Sequence, residues 1–161
     1  MSLLRTVYFS GLALAIQLTL GITLALTLYT IRRLKSFFCA LIIVPFAIPP
    51  IVTAIIFRMM NDPVIGVINY ILKCLKLGEH LWLGSPIEVI PSLAIIDSYI
   101  WMPFVTLVLF SGLNTVSKEI IESAYIDGAS YKRVIIHILL PLIKKYILIV
   151  LLFRLIYLIS V

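Results

Sequence analysis

The stretch from Thr6 to Ile31 reads TVYFSGLALAIQLTLGITLALTLYTI and contains no charged side chain. A helix needs about 20 mainly apolar residues to cross the hydrocarbon core of a bilayer. Because lipid offers no partner to backbone amide groups, such a run is expected to be a helix that satisfies them internally. Barrel strands do not fit, since they are about 10 residues long and alternate in polarity. We therefore predict a transmembrane helix over residues 6–31.

Three further apolar runs follow, over residues 37–57, 89–113 and about 139–161. The first of them is uncharged but contains three prolines, which are expected to bend it. The second carries one acid, Asp97, and the third carries Arg154 in its interior. The predicted fold class is therefore all-α, a polytopic helical membrane protein with four transmembrane helices.

The composition of the chain also indicates a membrane environment. Of its 161 residues, 63% are apolar and 12% are charged, whereas soluble domains average about 45–50% and about 25%. A soluble core of this size could not bury so much apolar surface. The net charge is +6, but the basic residues cluster between the apolar runs, which is typical of membrane topology rather than of nucleic-acid binding. Neither cysteine has a partner at metal-ligand spacing, so no metal site is expected.

Lysine and arginine residues indicate the orientation of the runs. The first and third connections, counted to the start of the last run, hold eight of them: Arg32, Arg33, Lys35, Lys118, Lys132, Arg133, Lys144 and Lys145. The longer second connection, counted from the end of the preceding run, holds three: Arg58, Lys73 and Lys76. Because loops rich in Lys and Arg stay in the cytoplasm, we predict that the first and third connections are cytoplasmic, the third covering about residues 115–138. Both chain ends then lie outside, and we expect the chain to be a fragment that lacks at least one helix at each end.

The second connection, residues 61–88, also contains a helical pattern. Apolar residues recur at helical spacing between Val64 and Leu77, with Lys73 and Lys76 on the other side. This pattern is typical of a short helix that lies at the membrane surface. Trp82 follows it and is expected at the level of the lipid headgroups.

The third connection reads VSKEIIESAYIDGASY over residues 116–131. Ser117 is a good N-cap, and Glu119 suits the positive end of a helix dipole. Gly128 is a typical stop, because the residue after a helix often adopts a left-handed conformation. We predict a helix from about Lys118 to Tyr125 with one apolar face. Such a helix is either a plain link between two spans or an element that fits a groove of a partner.

The same loop resembles a motif of the permeases of binding-protein-dependent ABC importers. That motif has the form E-A-A, three residues, G, nine residues, I, one residue, L-P. This chain has Glu122, Ser123 and Ala124, then Gly128, Ile138, Leu140 and Pro141 at the same spacing. The one departure is Ser123 in place of the middle alanine.

The resemblance covers nearly the whole chain and is strongest with the sugar and glycerol-phosphate type of inner-membrane subunit. It extends to Asp127 beside Gly128, to residues 101–104 (WMPF), to residues 45–50 (PFAIPP) and to residues 61–63 (NDP). It implies that residues 1–161 are part of a permease domain, since family members carry six or more helices. It also implies a multi-pass protein of the cytoplasmic membrane whose loop 115–138 faces the cytoplasm.

The resemblance further implies the partners of the chain. The loop helix would sit in a cleft of a separate ATPase subunit, with Glu122 contacting that subunit and Gly128 allowing the turn. The other partners would be a second permease subunit and an extracytoplasmic solute-binding protein. The chain itself would perform no covalent chemistry and hold no cofactor, because ATP would be bound by the partner. The alternative is a secondary transporter or channel subunit that works without ATP.

Asp97 and Arg154 are charged residues inside predicted spans, where a charge is costly and usually functional or paired. Both are candidates for a translocation path. Asp97 could instead contact another helix or lie at the outer interface, and Arg154 could face protein or a water-filled cavity. The sequence does not identify a partner for either residue, and it does not identify the solute.

Overall fold

The computed structural model describes residues 2–31 and 33–160. Arg32, which contributes to the predicted orientation, and Val161, the end of the last predicted run, lie outside the described residues. Within the described ranges the chain is helical and has no strand, as the sequence predicts. The helices are α1 (Ser2–Thr30), α2 (Lys35–Ala47), α3 (Pro50–Met60), α4 (Val67–Cys74), α5 (Val89–Asn114), α6 (Lys118–Ile126), α7 (Tyr131–Val134), α8 (Leu140–Leu142) and α9 (Lys144–Ser160), with a π-helical turn (Ile135–Leu139) between α7 and α8.

Two helices of the described chain, α1 and α5, are each long and apolar enough to cross a membrane. The other two predicted runs are bent pairs. Helices α2 and α3 meet at 88°, and the stretch Tyr131–Leu142 meets α9 at 61°. If each bent pair is one span, the number of spans reaches four by length and composition, which is the predicted number.

Prolines account for the first bend. Ile48 ends α2 in an extended conformation (φ −81°, ψ 129°), as expected for a residue that precedes proline. Pro50 then occupies the first turn of α3, where its missing N–H costs nothing. The sequence predicted a bend in this run, and the structure confirms it as a complete break between two helices.

The core lies between α1 and α5 and is completed by α7 to α9. Its buried side chains are Ala25, Val105, Leu109, Leu113, Val134, Leu139, Ile143 and Val150. Two glycines let the helices approach closely. A Cβ on Gly21 of α1 would lie 2.5 Å from Val105 Cγ1, and a Cβ on Gly112 of α5 would lie 2.5 Å from Tyr146 Cδ2 on α9. These three helices therefore form one packed unit.

The second connection is an ordered loop around the predicted surface helix, which is α4. The Asn69 side chain donates to His80 O at 2.8 Å and accepts from Trp82 Nε1 at 2.9 Å. His80 Nδ1 lies 2.8 Å from Glu88 Oε1. The loop begins with Asp62, whose pKa is lowered by the backbone N–H groups of Ile65 and Val64. The indole N–H of Trp82 is thus bound within the loop, and its predicted place among the headgroups stays a prediction.

Candidate functional site

Helix α6 is the element that presents the motif. It runs from Lys118 to Ile126, one residue beyond the predicted end. Ser117 occupies the N-cap position, as predicted, but its hydroxyl does not accept from the helix backbone. It donates instead to Glu119 Oε2 at 3.3 Å. The acid in the first turn is thereby linked to the helix start, where the helix dipole favours a negative charge.

Gly128 ends α6 in the predicted way. Its φ is +79°, in the left-handed region that costs a residue with a Cβ more than it costs glycine. Ala129 N donates to Ala124 O at 2.9 Å, and Gly128 N donates to Tyr125 O at 3.0 Å. These two bonds form a Schellman motif, which satisfies carbonyls at the helix end and turns the chain sharply.

The two faces of α6 differ in what they contact. Ile121 and Ala124 pack against the hydrophobic core. Glu119, Glu122 and Ser123 are exposed, and Ile126 on the same side is 85% exposed. Because the exposed Ile126 lies beside two carboxylates, the outward surface of α6 is both apolar and negatively charged. We call these four residues the outward face of α6.

The outward face is flanked by two clefts. One, of about 760 Å³, is lined by Glu122 and Tyr125 together with residues from the ends of α1, α2 and α5. Lys35 lies at this cleft, where it donates to Asn114 Oδ1 at 3.4 Å and stands 4.4 Å from the centre of the Phe110 ring. The second cleft, of about 390 Å³, contains the motif residues Ala124, Asp127 and Ile138.

The remaining motif residues lie where the chain returns to the core. Ile138 belongs to the π-helical turn, and Leu140 and Pro141 belong to α8. Ile138 and Leu140 are partly buried against the core, which includes their neighbours Leu139 and Ile143. Pro141 has no N–H to continue the α-helical bonding, and a π-turn is one of the recognised irregularities at a kink. The sequence did not predict this turn.

The predicted site residues therefore divide into two groups. Glu122, Ser123 and Asp127 are exposed, whereas Ala124, Ile138 and Leu140 are partly buried and fix the loop to the core. Gly128 shapes the turn after α6, and Pro141 follows Leu140 in α8. This division fits a loop that is held on one side and free to meet a partner on the other.

The two charged residues inside the spans lie together. Arg154 Nη2 donates to Asp97 Oδ2 and forms an ion pair with it. Both also bind Gln17 of α1, because Arg154 Nε donates to Gln17 Oε1 at 2.8 Å and Gln17 Nε2 donates to Asp97 Oδ2 at 2.8 Å. The structure thus brings the two predicted residues together in a helix-to-helix contact. Their place on a translocation path stays a prediction.

Gln17 is the member of this network that sequence reasoning missed. It is fully buried, and its amide both donates and accepts within the network. The signal was present, because Gln17 is the one carboxamide side chain in the run of residues 6–31. A buried amide needs hydrogen-bond partners, and in a span those partners must come from other helices.

Comparison with known proteins identifies relatives along almost the whole chain. Residues 17–160 match the family described as "Binding-protein-dependent transport system inner membrane component". The chain is 33% identical over 149 residues to the "Trehalose/maltose transport system permease protein MalF" of Thermococcus litoralis, covering 92% of this chain and 50% of the relative. It is 29% identical over 142 residues to the "Glucose import system permease protein GlcT" of Saccharolobus solfataricus, covering 87% and 49%.

A solved structure agrees with these relatives. A bacterial ABC transporter involved in the import of the acidic polysaccharide alginate contains a chain that superposes with a TM-score of 0.84 at 26% identity, over 98% of this chain and 56% of that one. The chain spans about half the length of the curated relatives it matches.

Proposed function

Because the chain belongs to the family of inner-membrane components of binding-protein-dependent transport systems, we propose that it is a permease subunit of an ATP-driven importer. As a member of that family, it is a multi-pass protein of the cytoplasmic membrane. The proposed solute is a sugar or a related polar molecule, since relatives are named for trehalose and maltose and for glucose. Those relatives are transport permeases and not enzymes. None of them favours a transporter that works without ATP.

The observation that carries the proposal is the outward face of α6. A short amphipathic helix that is anchored by one side can lay its other side into a groove of a partner. Ile121 and Ala124 provide the anchor, and Glu122 and Ile126 provide a charged and an apolar contact for the partner. The proposed partner is a separate ATPase subunit on the cytoplasmic side, and its groove would offer polar or basic groups to Glu122.

The transport cycle follows from this contact. ATP-driven closure of two ATPase subunits would displace α6, and the packing of α6 on the core would pass that displacement to the spans. The spans and those of a second permease subunit would then switch between inward-facing and outward-facing states. A solute-binding protein outside would release solute into the cavity. That role is supported by a related alginate transporter, which has been solved in complex with a periplasmic protein that carries an alginate pentasaccharide.

Purification of the native complex tests the proposal. An affinity tag on this chain should retain a P-loop ATPase and a second permease, identified by mass spectrometry. In proteoliposomes the complex should take up sugar only with ATP inside and binding protein outside. Uptake that is driven by an ion gradient and indifferent to ATP would overturn the proposal in favour of a secondary transporter.

A further inference from the structure

The network of Gln17, Asp97 and Arg154 joins three helices at one place. We propose that these side chains act as a clamp that fixes α9 to α1 and α5, and that the clamp couples the displacement of α6 to the movement of the spans. The proposal rests on the proposed function, because it assigns the three residues a positioning role in the transport cycle. None of them needs to touch the solute for this role.

The hydrogen bonds among the three side chains form a closed ring, while Arg154 Nη1 is buried without a hydrogen-bond partner among the described residues. Arg154 reaches α1 through Gln17 and reaches α5 through Asp97, while Gln17 and Asp97 bind each other at 2.8 Å. Each pair of the three helices is therefore joined directly. Removing any one side chain leaves two polar groups inside the bundle with fewer partners, which is costly in an apolar environment.

The buried contacts of the clamp can form only when α9 has the orientation seen in this structure. Arg154 and Gln17 are 0% exposed, and the Asp97 side chain is 17% exposed. The guanidinium carbon also lies 4.5 Å from the centre of the Trp101 ring and 5.3 Å from that of Tyr157, a geometry that favours a cation. Arginine keeps its charge in proteins. If α9 rotated, this charge would leave Asp97 and the Trp101 ring, which both belong to α5, while Tyr157 on α9 would move with it.

The clamp and Tyr146 are two attachments of α9 to α5, in addition to the ring contacts of Trp101 with Tyr157 and of Phe104 with Phe153. Along α9, the buried side chains Val150, Arg154 and Leu158 follow one another at intervals of four residues. The opposite side, which includes Leu152 and Ile156, is exposed. The second attachment is Tyr146, which packs on the backbone of Gly112. At 1.5 Å per residue the two attachments lie about 12 Å apart, so α9 cannot pivot about either one alone.

This arrangement lies on the route by which α6 acts on the spans. From α6 the chain turns at Gly128, passes through Tyr131–Leu142, bends by 61° and enters α9. Ile143 at the bend is buried in the core. With the clamp in place, a displacement of α6 moves α1, α5 and α9 together. Without it, rotation of α9 at the bend absorbs the displacement before it reaches the other spans.

The test compares variants in the native complex in proteoliposomes by the number of solute molecules imported per ATP hydrolysed. Arg154→Gln should lower this ratio by about 5-fold or more while ATP hydrolysis continues. The solute concentration for half-maximal uptake should stay unchanged. Arg154→Lys keeps the positive charge but loses the planar guanidinium group with its several N–H donors, and it should restore part of the ratio. Lys73→Gln, which removes a cation whose side chain is 72% exposed in the second connection, should leave the ratio at the wild-type value.

Other outcomes overturn the clamp. A shift in half-maximal solute concentration at an unchanged ratio would place Asp97 and Arg154 on the solute path instead. A parallel loss of uptake and hydrolysis at an unchanged ratio would assign them to folding alone. If Arg154→Gln does not insert, Gln17→Leu keeps the ion pair and should lower the ratio by a smaller factor, and an unchanged ratio there also overturns the clamp. The proposed function fails on a different observation, which is that the wild-type complex shows no ATP-driven uptake.

Discussion

The clamp and the outward face of α6 use similar side chains in opposite ways. In the clamp, an amide and an arginine are buried, an acid is partly buried, and the three bind one another across three helices. On α6, Glu119, Glu122 and Ser123 are exposed and lie beside an isoleucine that packs on little of the chain. Buried polar groups that bind one another fix an internal geometry. Exposed polar groups beside an apolar side chain form a surface to which a partner can bind.

The largest difference in stability is expected between breaking a buried ion pair and breaking an exposed one. Arg154→Met leaves Asp97 in the bundle without its cation, and the loss of one partner of a buried pair costs about 3–5 kcal/mol. Lys73→Met is the matched control, because Lys73 pairs with Glu79 at 3.0 Å while their side chains are 72% and 61% exposed. Its cost should be below about 1 kcal/mol. Thermal unfolding in detergent measures the loss of stability in both variants. Equal losses would contradict the expected difference between the buried and the exposed ion pair.

The next largest effect concerns the turn after α6. Gly128→Val places a β-branched side chain at φ +79°, which costs about 1–3 kcal/mol and disturbs the Schellman motif. A Cβ at Gly128 would meet no atom within 4 Å, so the cost is confined to the backbone of the turn. Membrane insertion should be normal, while ATP hydrolysis proceeds without uptake.

Gly128→Asn is the control for this prediction, since asparagine tolerates the left-handed conformation better than valine. It should keep most of the uptake. Wild-type uptake by Gly128→Val would show that the turn has no part in coupling. Failure of Gly128→Val to insert would show that the loop stabilises the fold rather than serving a partner.

The smallest effect on the chain itself is expected on the outward face. Glu122→Lys changes an exposed side chain, so the unfolding free energy should change by less than about 0.5 kcal/mol. Association with the ATPase subunit should nevertheless weaken about tenfold, because a carboxylate opposite polar or basic groups is replaced by a cation. Glu119→Lys on the same face is the control, and its effect should be smaller because its carboxylate binds Ser117. Co-purification yield against salt concentration measures both, and an unchanged yield for Glu122→Lys argues against the contact.

Much of the fold could be predicted because its signals are local. A long charge-free apolar run predicts a membrane-spanning helix wherever it occurs, and Ser117 and Gly128 mark the ends of α6 within a few residues of the chain. The break at Ile48 follows equally from the two prolines after it. Each of these features depends on backbone chemistry that a short stretch of sequence contains.

The features that could not be predicted depend on contacts between distant parts of the chain. Arg154 is 57 residues from Asp97 and 137 from Gln17. Nothing in the sequence near Arg154 indicates which helix faces it. The close approach of Gly112 to Tyr146 depends on the same packing. The sequence therefore indicated that Arg154 needed a partner without identifying that partner.

The most direct test of the proposed partner is photo-cross-linking in native membranes. A photoreactive amino acid at Ser123 on the outward face should form a product with an ATPase subunit, and the yield should change when ATP is added. The same probe at Ile65, an exposed residue of the second connection, is the control and should not capture that subunit. A product between position 123 and the ATPase, absent at position 65, is the result expected here. Capture of the ATPase from position 65, or none from position 123 in a complex that transports, would contradict it.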